Sequence, residues 1–144
     1  MSETSNDLSF GTLAIHAGVE PEPVTGAIMT PIFQTSTYVQ PEVGRPKQDR
    51  YDYGRTANPT RRALEESIAA LESGTHGIAF SSGIAAIETI VKRLSSGDHV
   101  VSEENTYGGT TRLFTRVLSR LGIDFTFVDT RDPRAVAEAM RPET

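Results

Sequence analysis

The rhythm of apolar residues changes near residue 58. Before it, "EPEPVTGAIMTPIFQTSTYVQPEVGRP" scatters apolar side chains with no sustained period, and its prolines read as extended chain and turns. After it, apolar positions recur every three to four residues in three blocks. Leu64, Ile68 and Leu71 predict a helix that Asn58 caps, Pro59 opens and Gly74 stops. Ile84, Ile87, Val91 and Leu94 predict a second. Leu113, Phe114, Val117, Leu118 and Leu121 predict a third, all facing inward. Between and after these blocks, "HGIAF" (76–80), "HVVSE" (99–103) and "IDFTFVD" (123–129) read as short buried strands. Pro133 opens a last helix in "PRAVAEAMR". Strands alternating with helices imply an α/β fold with a mainly parallel sheet and flanking helices. In such sheets ligands bind beyond the carboxyl ends of the strands. Two loops run from a strand end into a helix there, Ser81–Ile84 and Asn105–Thr110.

Composition narrows the function without naming it. The chain has 144 residues and a net charge of −5, which disfavours a nucleic-acid surface. It has no cysteine, so disulfides and thiolate metal sites are excluded. His16, His76 and His99 lack metal-ligand spacing and read as structural, so no metal site is expected. The opening "MSETSNDLSF" is neither basic nor apolar, and no apolar run reaches membrane-spanning length. A cytoplasmic protein without a membrane partner is expected.

Three stretches carry chemistry. In "FSSGIAAIE", Ser82, Gly83 and Ile84 open a helix whose free backbone N–H groups and dipole form an anion site. Read locally, the same residues are a serine-capped helix after a turn. The stretch matches neither a Gly-x-x-x-x-Gly-Lys loop nor Gly-x-Gly-x-x-Gly. In "NTYGGTTR", Tyr107 stands at a strand's carboxyl end, where its ring could cover a planar ligand or simply pack on the sheet edge. Arg112 could point into the same cleft, but Arg112, Arg116 and Arg120 also recur as on a solvated helix face. In "YDYGRTANPT", Arg55 suits bidentate phosphate contact and Tyr53 could add a hydroxyl from the same side of an extended chain.

Together these stretches resemble one family. "AIHAG" (14–18), "YDYGRTANPTR" (51–61), "AFSSGIAAI" (79–87) and "NTYGGTTR" (105–112) are similar in order and spacing to the Cys/Met-metabolism enzymes that use pyridoxal phosphate. That family includes cystathionine γ-synthase, cystathionine γ-lyase, methionine γ-lyase and O-acetylhomoserine sulfhydrylase. The resemblance implies the N-terminal part of a fold-type I, aspartate-aminotransferase-like enzyme. Residues 1–58 would be an extended arm reaching a neighbouring subunit, and 59–144 the beginning of the cofactor-binding domain. It implies that Tyr53 and Arg55 reach the cofactor phosphate of the neighbour, and that Ser82, Gly83 and Ile84 receive the chain's own cofactor phosphate. Tyr107 would stack on the cofactor ring and act catalytically, and Arg112 would meet the substrate. A small amino-acid substrate and a homo-oligomer, a dimer of dimers, are implied with it.

The lysine that such enzymes bond to the cofactor, and the aspartate that holds its ring nitrogen, fall beyond the matched residues. Only Lys47 and Lys92 are present among fourteen basic residues, and Lys92 reads as a surface partner of Glu88. The expected activity is γ-elimination or γ-replacement on homoserine-derived amino acids or cystathionine, as in cystathionine γ-lyase or γ-synthase. O-acetylhomoserine sulfhydrylase or methionine γ-lyase is the alternative within the family. A phosphate-binding module without catalysis, or an inactive fragment, is the alternative outside it. With a short open sheet, the isolated 144 residues are expected to associate.

Overall fold

The computed structural model describes residues 8–48 and 50–144, so the opening of the expected arm lies outside the described residues. The chain divides into two compact units, residues 1–79 and 80–144.

The first unit holds α1 (Phe10–His16) and α2 (Pro59–Leu71), which pack together. Helix α1 falls in a stretch where no period was apparent. It is two turns long, and its signal is a cap: the Ser9 hydroxyl accepts the Thr12 amide. Helix α2 starts as expected, with Asn58 Oδ1 accepting the Thr60 and Arg61 amides and Pro59 opening the first turn. Between the helices the chain is irregular but tied down by side chains. Asn58 Nδ2 donates to Phe33 O at 2.9 Å, and Thr60 Oγ1 donates to Pro31 O at 2.8 Å. The Tyr38 hydroxyl donates to Ala57 O, and isolated bridges join Thr37 to Tyr53 and Lys47 to Tyr51.

The expected strand at 76–80 is not there. A strand exists through its ladder, and this stretch finds no neighbouring strand among the described residues. It lies instead as a strap along α2. The Ala79 amide donates to the Glu65 carboxylate at 2.9 Å, and Gly77 sits so close to the Glu65 carbonyl that no Cβ would fit. Leu64 and Ile68 of the predicted apolar face stay half-exposed, and Ala69 is buried in their place.

The second unit holds α3 (Gly83–Val91), β1 (His99–Glu103), α4 (Gly108–Arg116), a 3₁₀ turn (Leu118–Leu121), β2 (Asp124–Val128) and α5 (Pro133–Ala139). Strands β1 and β2 pair in parallel, His99 opposite Asp124 through Glu103 opposite Val128, with α4 as the crossover. The core is Val91, Leu113, Phe114, Leu118 and Ile123, and Ile84, Ile87, Val100, Phe125 and Phe127 pack against it. The Phe114 ring stacks on Phe125 at 4.5 Å between centroids.

The inward face of the third block is corrected in part. Leu113, Phe114 and Leu118 are buried, but Val117 and Leu121 are exposed. The α-helix ends at Arg116 and continues as a 3₁₀ turn, whose tighter winding moves later side chains off the α-helical stripe. Leu94, past the end of α3, is likewise partly exposed. His99 is buried and structural, its two ring nitrogens 2.7 and 2.8 Å from the Thr144 and Thr126 hydroxyls. His76 lies in the strap and starts no strand.

Candidate active site

The N-terminus of α3 is built from an extended Ser82, at φ −160° and ψ 160°, followed by the first helical turn. The Ser82 hydroxyl accepts the Ala85 amide at 3.1 Å. The Gly83 and Ile84 amides ahead of it have no acceptor among the described residues. A Cβ placed on Gly83 would meet nothing within 4 Å. Two free donors at the positive end of a helix, with open space above them, make an anion cradle. The Ser82 hydroxyl still has its proton to donate there, since capping uses only an oxygen lone pair.

Tyr107 stands at the N-terminus of α4, beyond the carboxyl end of β1, and the residue is about 71% exposed. The ring lies against Gly109, where an added Cβ would come within 2.5 Å of Tyr107 Cε1 and 3.2 Å of Ile84 Cδ1. The second unit thus brings Ile84 and Tyr107 to one place. Arg112 is exposed one turn further along α4 and makes no hydrogen bond or ion pair among the described residues. Thr110, in the same first turn, is buried, and its hydroxyl has no partner among the described residues.

Sequence reasoning missed Glu103. It closes β1, and its carboxylate accepts the Asn105 amide at 3.1 Å, the Thr130 amide at 2.8 Å and the Thr130 hydroxyl. The carboxylate therefore staples the loop carrying Tyr107 to the loop that follows β2. The Thr130 hydroxyl and amide, then the Asn105 amide, hold Glu103 below the usual carboxylate range. The available signal was a carboxylate at a strand's end followed by a loop with free amides.

In the first unit, Tyr53 and Arg55 come together, but not by the alternation of an extended chain. The Thr56 and Ala57 amides both donate to Tyr53 O at 3.0 Å, so residues 53–57 form a turn. The Arg55 guanidinium lies over the Tyr53 ring at 5.0 Å. Asp52 braces the turn, accepting the Thr56 hydroxyl and the Tyr53 amide, and both bonds hold its carboxyl below the ordinary value.

The lysines of this chain, and Asp129 at the end of β2, are engaged elsewhere. Lys92 Nζ pairs with Glu88 at 2.6 Å on the surface of α3. Asp129 pairs with Arg131 at 2.7 Å. Lys47 sits in the bridged arm of the first unit.

The α/β chain thus carries a helix terminus with two free amides beside an exposed aromatic ring, parts that suit a planar ligand bearing a phosphate. Its coordinates align, at a TM-score of 0.87 and 47% identity, with a crystal structure of cystathionine gamma-lyase from Lactobacillus plantarum complexed with L-serine, over 95% of this chain and 35% of that one. A probable cystathionine gamma-synthase of Herpetosiphon aurantiacus is 50% identical over 138 residues, 96% of this chain and 43% of the relative. A cystathionine beta-lyase of Coxiella burnetii is 50% identical over 146 residues, covering 37% of that protein.

The family model described as "Cys/Met metabolism PLP-dependent enzyme" matches residues 11–144, and the chain belongs to that family. It spans between about a third and somewhat under half of the length of these relatives. No helix among the described residues is long and apolar enough to cross a membrane.

Proposed function

We propose that the chain forms part of a pyridoxal-phosphate-dependent transsulfuration enzyme. It would act on cystathionine or a homoserine-derived amino acid, by γ-elimination or γ-replacement, as cystathionine γ-lyase or γ-synthase do. The observation that carries the reading is the pair of free Gly83 and Ile84 amides beside the exposed Tyr107 ring. Relatives named cystathionine beta-lyase add a cleavage at the β-carbon that sequence reasoning did not weigh.

In this reading the Gly83 and Ile84 amides and the Ser82 hydroxyl hold the cofactor phosphate. The Tyr107 ring covers the cofactor ring, and its hydroxyl moves a proton at the substrate amine. Arg112, uncommitted on α4, meets the substrate carboxylate. Bound pyridoxal phosphate would supply the electron sink that makes the α- and β-protons of the amino acid removable. Tyr53 and Arg55 serve the phosphate of a second copy, within a dimer of dimers. The exposed Val24, Ile28, Met29, Ile32, Val39 and Val43 of the first unit support an arm that covers another copy. A cytoplasmic enzyme fits this chemistry.

The test is the intact mass of the purified protein before and after incubation with pyridoxal phosphate and borohydride. A mass well above 15.6 kDa that gains one reduced cofactor supports the reading. A 15.6 kDa protein without a specific adduct sinks it in favour of a fragment or a phosphate-binding module.

A further inference from the structure

We propose that Arg61 is the positioning residue for the Tyr53–Arg55 pair, and that through Glu65 it ties their turn to the strap leading toward Ser82. The proposal rests on the phosphate-reaching role given above to Tyr53 and Arg55.

Arg61 lies in the first turn of α2, where Asn58 caps its backbone amide. Its two terminal nitrogens reach out of the helix to the 53–57 turn. Nη1 donates to Gly54 O at 3.3 Å, and Nη2 donates to Thr56 O at 3.0 Å. Those two carbonyls flank Arg55. The Arg61 Nε faces Glu65 Oε1 at 3.4 Å, one helical turn on. The same Glu65 oxygen accepts the Ala79 amide at 2.9 Å. One guanidinium thus bridges the turn and the helix, and its carboxylate partner bridges the helix and the strap.

The two arginines divide the work. Arg61 is about one-third exposed, and its donors go to carbonyls and a carboxylate. Arg55 is exposed, makes no hydrogen bond or ion pair among the described residues, and is held over the Tyr53 ring. The turn's own bonds, from Thr56 and Ala57 to Tyr53 O, fix its shape, and the Gly54 amide ties it to Ser36 O at 2.6 Å. The side-chain bonds from α2 to the turn come from Arg61 among the described residues, and they complete the hold on the direction in which Arg55 points. A planar fork with donors at a fixed spacing spans two carbonyls at once, and a lysine ammonium does not.

The test titrates the apo protein with pyridoxal phosphate and, separately, with phosphate-free pyridoxal, by cofactor absorbance. Arg61→Met should weaken the phosphorylated ligand by about tenfold or more, the scale of one charge-assisted hydrogen bond. Affinity for pyridoxal should stay within about twofold, as for a change remote from that ligand. Arg61→Lys should fall between, and it carries the test if the methionine variant does not fold. Combined with Arg55→Ala, either variant should add little, because both act on one contact. Equal losses for both ligands, no loss for either, or full additivity with Arg55→Ala would each overturn the proposal. An Arg55→Ala protein that still prefers the phosphorylated ligand as before would instead overturn the parent reading.

Discussion

Two adjacent glycines give opposite predictions. Gly108 and Gly109 open α4, neither with a left-handed φ, so alanine is conformationally acceptable at both. At Gly108 a new Cβ meets nothing within 4 Å. Gly108→Ala should stabilise by about 0.4–1 kcal/mol, through the lost freedom of the unfolded chain. At Gly109 the Cβ would come within 2.5 Å of Tyr107 Cε1 and 3.1 Å of Cδ1. An ordinary carbon–carbon contact starts near 3.5 Å, so the ring edge must swing by roughly 1 Å. The ring is exposed and free to move, so stability should change by less than about 1 kcal/mol. Ring position should not survive. A reacting group displaced by that much can cost as much as about a hundredfold in turnover. With the function proposed above, the assay pairs thermal unfolding with kcat/KM on cystathionine, the proposed substrate, for each variant in the full-length protein. Gly109→Ala should be stable and slow, Gly108→Ala stable and fast. A Gly109→Ala enzyme with unchanged kcat/KM would refute the link between this contact and the Tyr107 ring. Equal slowing in both would point to backbone freedom of the loop instead.

Three further outcomes follow from the second unit. Leu118 is fully buried, so Leu118→Ala should cost about 2–5 kcal/mol in denaturant unfolding; a loss below ~1 kcal/mol would mean the core collapses onto the gap. Thr110→Val replaces an orphaned buried hydroxyl and should stabilise by about 1 kcal/mol; destabilisation would reveal a hidden hydrogen-bond partner. Glu103 has its folded pKa depressed below its usual 4.5, so the staple it makes is present above that pH and lost as pH falls through the lower folded value. Protection of the Asn105 and Thr130 amides, measured against their intrinsic exchange rates at each pH, should fall on acidification in that window, and Glu103→Gln should abolish that fall; protection unchanged by acid would contradict the staple.

The second unit was the more legible in the sequence. Strands β1 and β2 and the starts of α3 and α5 follow from apolar period, serine and proline caps and glycine turns, because local signals and burial agree there, whereas α4 begins at Gly108, inside the stretch read as a loop. What failed did so where local signals meet other constraints. "HGIAF" has the composition of a buried strand, but Glu65 claims the Ala79 amide and α2 takes up the strap. Val117 and Leu121 keep a helical period that the 3₁₀ turn does not honour. The candidate site was legible as residue types at helix starts. Arg61 and Glu103 were not, because what they do depends on backbone carbonyls and amides that irregular turns and loops present to them, which no periodicity encodes.

Among the described residues between 8 and 79 only Ala69 is buried, while side chains such as Asn58, Thr60, Arg61 and Glu65 hold the backbone by hydrogen bonds. The heat capacity of unfolding follows exposed apolar area. A unit ordered mainly by polar contacts therefore contributes little heat capacity, and its stability varies gently with temperature. Cooling leaves such a unit intact, and heating melts it broadly. A sharp, cooperative transition for this half of the chain has to come from apolar surface supplied by something it docks against.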